Sequence, residues 1–241
     1  MIKVNGKFKS CNFSPRPPNT SIHTLVIHHT DMTTVQSAID RLCDKSIGVS
    51  SHYVIDQSGE IYYLVNNADK AFHAGASSWR GSAQVNDYSI GIELDNNGTD
   101  PFSEKQIQSL IALAQQLMKE FPIEQRNVVA HADIAPNRKV DPNHHFNWTL
   151  LSDNNVGIYP KVAVANPEIL FKYGMKNEQL SKLKKKLSSY GYLINNPNNE
   201  FDQELLNVMH AFKRHFCPET YHNTFWDTLT EARLDKLLSM V

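Results

Sequence analysis

Five short runs of β-branched and aromatic residues, interleaved with two stretches of helical period, leave few folds open to this chain. The runs are Thr24-Leu-Val-Ile-His-His-Thr30, His52-Tyr-Val-Ile-Asp56, Glu60-Ile-Tyr-Tyr-Leu-Val65, Ser89-Ile-Gly-Ile-Glu-Leu94 and Asn127-Val-Val-Ala-His131. Their length is that of strands, not helices. Gln57-Ser58-Gly59 between the second and third predicts a hairpin. Between Thr33 and Lys45, Val35, Ala38, Ile39, Leu42 and Cys43 fall on one face of a 3.6-residue period. A second helix is predicted to open on a capping box, Ser103-x-x-Gln106, and to bury Ile107, Leu110, Ile111, Ala114, Leu117 and Met118. The order β-α-β-β-β-α-β predicts an α/β or α+β sheet covered by helices.

The remainder divides by composition. Residues 1–21 are polar and Pro-rich and read as an extended arm over the surface. Residues 22–152 form the main domain. Residues 66–88 within it read as irregular. Residues 153–176, with Pro160 and Pro167, read as a connector. From 177 to 241 three short amphipathic helices are expected. The first carries Leu180, Leu183, Leu187 and Tyr190 and ends at Gly191. The second carries Leu205, Val208, Met209, Phe212 and Phe216. The third is opened by Thr228-x-x-Glu231. The Lys182 to Lys186 run reads as a solvated helix face. His210, His215 and His222 read as surface or helix-packing residues, and one of Tyr62 and Tyr63 is expected in the core.

Bulk properties exclude several classes. Hydrophobic residues are 41% and charged residues 20%, an ordinary globular balance. The net charge of -1 offers no attraction to nucleic acid or an anionic membrane. No apolar run approaches the ~20 residues of a membrane span. Cys11, Cys43 and Cys217 are too few and too scattered for a disulfide framework or a Cys-rich metal site. The first twenty residues lack the apolar core of a signal peptide, so the chain is either intracellular or exported by a segment outside this sequence.

The chemistry concentrates in a few positions. Strand side chains alternate, so His28 and His29 point to opposite sides and only one can face a site. His131 ends another strand, and Asp141 follows ten residues later in Arg138-Lys-Val-Asp-Pro142. Two imidazoles and one carboxylate make a three-ligand set, which leaves a catalytic zinc its open position. Ile90, Ile92 and Leu94 share one strand face and Glu93 leaves from the other; beside a metal-bound water, Glu93 is a candidate base. Lys139 is a candidate for stabilising an oxyanion. No single spacing here is a strong motif. A lone strand histidine is more often packed and hydrogen-bonded, and His131-Ala-Asp133 alone reads as a turn.

Taken together the segments carry more. His131-Ala-Asp-Ile-Ala-Pro-Asn-Arg-Lys-Val-Asp-Pro142 with Phe146 and Trp148, Leu25-Val-Ile-His28, Ser51-His-Tyr-Val-Ile-Asp56, Phe72-His-Ala-Gly75 and Tyr88-Ser-Ile-Gly-Ile-Glu93 resemble the type 2 N-acetylmuramoyl-L-alanine amidases, in order, over residues ~22–150. The tail and Trp79-Arg80-Gly81 resemble the AmiD branch, whose tail is a small helical peptidoglycan-binding domain. The resemblance implies an α/β fold with a central mixed β-sheet flanked by helices. It implies one catalytic Zn2+ held by His28, His131 and Asp141, with Glu93 as general base and Lys139 stabilising the transition state. It places His73, Trp79 and Arg80 on the substrate cleft wall, with Arg138 a further candidate contact. The implied reaction is hydrolysis of the amide between the lactyl group of N-acetylmuramic acid and L-alanine. Peptidoglycan or muropeptides would be the partner, with no nucleic acid and the chain a monomer. Location in the periplasm or cell envelope follows from a wall-binding tail, with the cytoplasm as the alternative.

Two other readings stay open at this point. The same fold serves peptidoglycan recognition proteins, which bind without cutting; those lacking activity lose a ligand or the base, and all five residues are present here. A zinc peptidase acting elsewhere in the stem is the third.

Overall fold

The computed structural model describes residues 2–241, so only Met1 of the expected arm lies outside it. In chain order the elements are β1 (Phe13–Pro15), β2 (Thr24–His29), α1 (Val35–Cys43), β3 (Tyr53–Ile55), β4 (Ile61–Tyr63), β5 (Asp69–Ala71), β6 (Ser78–Trp79), β7 (Ser82–Ala83), β8 (Ser89–Leu94), α2 (Glu104–Glu120) and β9 (Val128–Ala130). Then follow α3 (His131–Ile134), α4 (Trp148–Asp153), β10 (Ile169–Lys172), α5 (Glu178–Tyr190), α6 (Gln203–Phe216), β11 (Phe225–Asp227) and α7 (Thr228–Leu238).

The central sheet has the order β4-β3-β8-β2-β9. The β3–β4 hairpin is antiparallel and the other three pairings are parallel. This is a mixed sheet flanked by helices. Its two faces are covered differently. Leu25, Ile27, Ile90, Ile92 and Leu94 pack on Leu110, Ala114 and Leu117 of α2 in the main core. Val54 belongs to a second cluster with Ile39 and Leu42 of α1. Burying a side chain of this size removes roughly 1.5–3 kcal/mol of exposure cost, so the doubly covered strands are the stable floor of the fold.

The arm is ordered along the sheet. Asn5 forms a parallel bridge to Tyr62 of the edge strand β4, and β1 pairs antiparallel with β5. Covering β4 in this way removes an open edge. It also explains why Tyr62 and Tyr63 are both half-buried, where one core and one exposed residue were expected. Arg16 anchors the arm by donating to the carbonyls of Asn67, Asn86, Asp87 and Ser89 at 2.8 to 3.2 Å.

Several sequence expectations are corrected. The 66–88 segment contains β5, β6 and β7. Ser103 caps α2 by accepting from the Gln106 amide at 3.1 Å, but the box is not closed. Gln106 is buried and its Nε2 instead donates to the Ile55 and Asp95 carbonyls, tying together the ends of β3 and β8. The expected connector contributes β10, which pairs antiparallel with β11. Helix α7 is capped by Asp227, not Thr228; Glu231 faces Lys186 and the Trp226 indole. The lysine run is not a uniformly solvated face. Lys184 is fully buried, its ammonium held by Asp202 at 2.6 Å, Asn198 at 2.7 Å and the Asn196 carbonyl at 3.0 Å. A buried ammonium is tolerated only with such complete partnering.

His52 lies under β8. Its Nδ1 accepts from the Gly91 amide at 3.0 Å, which puts the ring proton on Nε2, toward the Asp69 carbonyl at 3.2 Å. Burial, and then the Arg16 charge, pull its pKa down to about 3. The unfolded chain takes up this proton near pH 6.5, so the folded state loses stability as pH falls from about 6.5 toward 3. Urea unfolding followed by circular dichroism should show this loss. In a His52→Gln variant the pH slope of unfolding free energy should be shallower by about 1.4 kcal/mol per unit across that range.

Candidate metal centre

The parallel register assembles the site. His28 of β2 and Glu93 of β8 are Cα partners, so both side chains leave the same face. The β2–β9 ladder runs to Ile27↔Ala130, and His131 follows as the first residue of α3. The three residues thus meet at the carboxyl ends of adjacent parallel strands, where open α/β sheets bind ligands. Asp141 arrives from the following loop, clamped by the Ala132 amide donating to the Asp141 carbonyl at 2.9 Å.

His28 Nδ1, His131 Nδ1 and Asp141 Oδ2 lie 2.9, 3.1 and 3.0 Å apart, and all three residues are buried. The opposite ring atoms fix the proton on His131 and allow the same placement on His28. His131 Nε2 is 3.2 Å from the Ala74 carbonyl, which can only accept, so Nε2 carries the proton. His28 Nε2 lies 3.0 Å from His73 Nδ1, and His73 Nε2 lies 3.1 Å from the Ser89 hydroxyl. With His28 Nε2–H donating to His73, and His73 Nε2–H to Ser89, both ligand rings are left with bare Nδ1 lone pairs. Three lone pairs, one on a carboxylate, then converge with no proton between them. That arrangement suits a cation. A tetrahedral zinc with bonds of about 2.0–2.1 Å sets neighbouring ligand atoms about 3.3 Å apart, close to the spacing here. The set is the one metal-holding group of this kind among the described residues.

Burial shapes the electrostatics. It pulls His28 down to about 4, helped by the His131 charge, which keeps the ring a neutral ligand. Burial works to raise Asp141, but His131 and His28 hold it well below the carboxylate range. Glu93 is pushed well above the usual range by burial and then by Asp141, with Lys139 opposing. Its Oε2 is buried without a hydrogen-bond partner. A carboxylate kept unpartnered in this way is held for something not contributed by the protein. Lys139, Glu93, both histidine ligands and Asp141 line one cavity of 480 Å³.

The other candidates take different places. His73 borders the cavity, yet both its ring nitrogens are used on His28 and Ser89, so it orients a ligand ring. Its seat is Gly91, where a Cβ would stand 2.5 Å from the imidazole. Neither Ser89 nor Gly91 was singled out from the sequence for this purpose; a small residue one row behind a strand histidine is the only signal. Arg138 also borders the cavity, and its guanidinium donates to the Ala74 and Ala76 carbonyls, holding the loop that also receives His131. Trp79 and Arg80 lie outside the lining of this cavity. Trp79 is buried edge-on to Tyr190 and Tyr192, because β6 turns it toward the C-terminal helices. Arg80 pairs with Glu124 and Asn127 at 3.1 Å. His29 borders the same cavity, with its Nδ1 buried and unpartnered. His144 stacks on Tyr221 and does not line the cavity.

In a Gly91→Ala variant the added methyl displaces His73 and frees the His28 ring. Zinc affinity, measured by competition with a chromophoric chelator, should fall about 10–100-fold.

Comparisons with known proteins point to one family. The sequence model of the N-acetylmuramoyl-L-alanine amidase family matches residues 18–144. The chain is 36% identical over 233 residues to the N-acetylmuramoyl-L-alanine amidase AmiD of Escherichia coli, covering 90% of this chain and 82% of that protein. It is 34% identical over 160 residues to the 1,6-anhydro-N-acetylmuramyl-L-alanine amidase AmpD of Haemophilus influenzae, covering 59% of this chain and 87% of the relative. The structure of E. coli AmiD with its substrate anhydro-N-acetylmuramic acid-L-Ala-D-gamma-Glu-L-Lys superposes with a TM-score of 0.79 at 35% identity, over 93% of this chain and 92% of that one.

Proposed function

The chain belongs to the N-acetylmuramoyl-L-alanine amidase family, and we propose that it is a zinc-dependent member which hydrolyses the amide between the N-acetylmuramic acid lactyl group and L-alanine in peptidoglycan. Enzymatic activity, hydrolysis of that amide and a place in cell-wall degradation or recycling follow from the relatives. The observation that carries the metal reading is the convergence of three bare lone pairs from His28, His131 and Asp141 beside the unpartnered Glu93 Oε2. A non-catalytic binding protein has no use for either feature.

Bound by these three residues, zinc would polarise the scissile carbonyl and acidify a water. The residues do the rest. Glu93, on the cavity wall with its Oε2 free of any protein partner, takes the proton from the attacking water and passes it to the departing L-alanine nitrogen. The Lys139 ammonium, on the wall of the same cavity, stabilises negative charge as it grows on the carbonyl oxygen. His73 and Arg138 act behind them, the first on the His28 ring and the second on the Ala74–Ala76 loop. Residues 22–152 serve as the catalytic domain. Residues 177–241 serve as the wall-binding domain, joined by 153–176 and with 1–21 as the arm. The working form is a monomer in the periplasm or cell envelope. Among the described residues no helix is long and apolar enough to cross a membrane.

Digestion of purified peptidoglycan and of a soluble anhydro-muropeptide, read by mass spectrometry, tests the activity. Stem peptides beginning with L-alanine should appear and should vanish with chelator. Cleavage elsewhere in the stem would replace this reading with a peptidase. Glu93→Gln should keep a full equivalent of zinc and lose about 10²–10⁴-fold in kcat. A variant that kept its turnover would remove Glu93 from the role.

A further inference from the structure

We infer that the C-terminal helical domain does more than bind wall: through Tyr192 and His215 it positions the metal ligand His131. The link is Asp133, two residues beyond His131 in the one-turn helix α3. Asp133 is 1% exposed. Its Oδ2 accepts from the Ala130 amide at 2.8 Å, which holds the start of α3. The same oxygen accepts from His215 Nδ1 of α6 at 2.7 Å. Its Oδ1 accepts from the Tyr192 hydroxyl, just beyond α5, at 2.6 Å.

Of these three donors, only the Ala130 amide belongs to the catalytic domain. A carboxylate covered by protein must find its partners within it, or it gives up its charge or its place. The helices that cover Asp133 supply those partners. Both are rigid. The His215 ring is stacked between Trp148 and Phe216, with centroids 3.7 and 3.8 Å away. Tyr192 is packed against the Trp79 indole edge, and the Arg80 amide donates to the Gly191 carbonyl at 2.9 Å beside it.

The consequence reaches the metal. Asp133 holds the Ala130 amide, and the Ala132 amide holds the Asp141 carbonyl, so the two ligand segments share one short turn. Loss of the Tyr192 and His215 donors leaves Asp133 covered and under-partnered. It then releases Ala130, and the His131 ring loses the direction that aims Nδ1 at Asp141. Tyr192, His215 and Asp133 are positioning residues, acting through backbone and not on substrate.

The inference rests on the metal reading, and one titration separates the two. The full chain is stripped of metal and its affinity for Zn2+ alone is measured by chelator competition. Wild type should bind one equivalent; if it binds none, the metal reading falls and this inference with it. Tyr192→Phe and His215→Phe should each bind zinc about tenfold more weakly while remaining folded by circular dichroism. His215→Asn, whose amide puts a donor where Nδ1 stood, should recover most of that loss. Leu234→Ala, in the core of the same helical domain, should lower stability and leave zinc affinity unchanged. Unchanged affinity in both Tyr192→Phe and His215→Phe overturns the inference. So does an equal loss in Leu234→Ala, which would mean that any loosening of the domain is felt at the metal. If His215→Phe does not fold, Tyr192→Phe, which removes one hydroxyl, carries the test alone.

Discussion

Everything around the metal centre depends on where two protons sit. The Ala74 carbonyl accepts the Nε2 proton of His131, and His73 stands where it can accept that of His28. Those two contacts would leave both Nδ1 atoms of a pair of buried imidazoles free to hold a metal. Without them, a proton between the two Nδ1 atoms would close the site as an internal hydrogen bond. The ring environment is therefore as much a part of the centre as the ligand atoms. It is built from unremarked residues: a glycine that leaves room, a serine hydroxyl that ends a relay, and an arginine that pins a loop.

The sheet explains why this can be done accurately. Parallel pairing brings successive strands to their carboxyl ends in one row, and the registers His28↔Glu93 and Ile27↔Ala130 put base and ligands on it. Helix α2 seals the opposite face with an apolar core, so the polar row has only one side to serve. The price is a set of buried ionisable groups, which the fold tolerates because nearly all of them are paired. His29 Nδ1 and Glu93 Oε2 are the exceptions, and both residues line the cavity where the chemistry is expected.

The C-terminal helices follow the same rule with different parts. Lys184 and Lys213 are fully buried and each is paired with a carboxylate, so that domain too uses buried charge to hold its shape. Asp133 is where the two economies meet. A carboxylate that would serve only as a turn residue in an isolated catalytic domain becomes a shared anchor once covered.

The sequence alone carried the five strands of the central sheet and the long helices, because apolar period is a local property, but not the short strands β1, β5, β6, β7, β10 and β11. Strand alternation showed that only one of His28 and His29 can face a site and set Glu93 apart from its apolar neighbours, while the roles of ligands and base came with the family resemblance. Several other assignments were not available locally. The length of a lysine run says nothing about which lysine faces an acid eighteen residues on, so Lys184 could not be separated from Lys182. Trp79 and Arg80 belonged to a motif, but only packing turned them toward α5 and Glu124. His215 and Asp133, eighty-two positions apart, form a 2.7 Å contact that no spacing rule anticipates. Composition and period determine which faces must be buried. Which buried polar atoms find each other is decided only when distant segments meet, because a hydrogen bond depends on tenths of an ångström and a hydrophobic face does not.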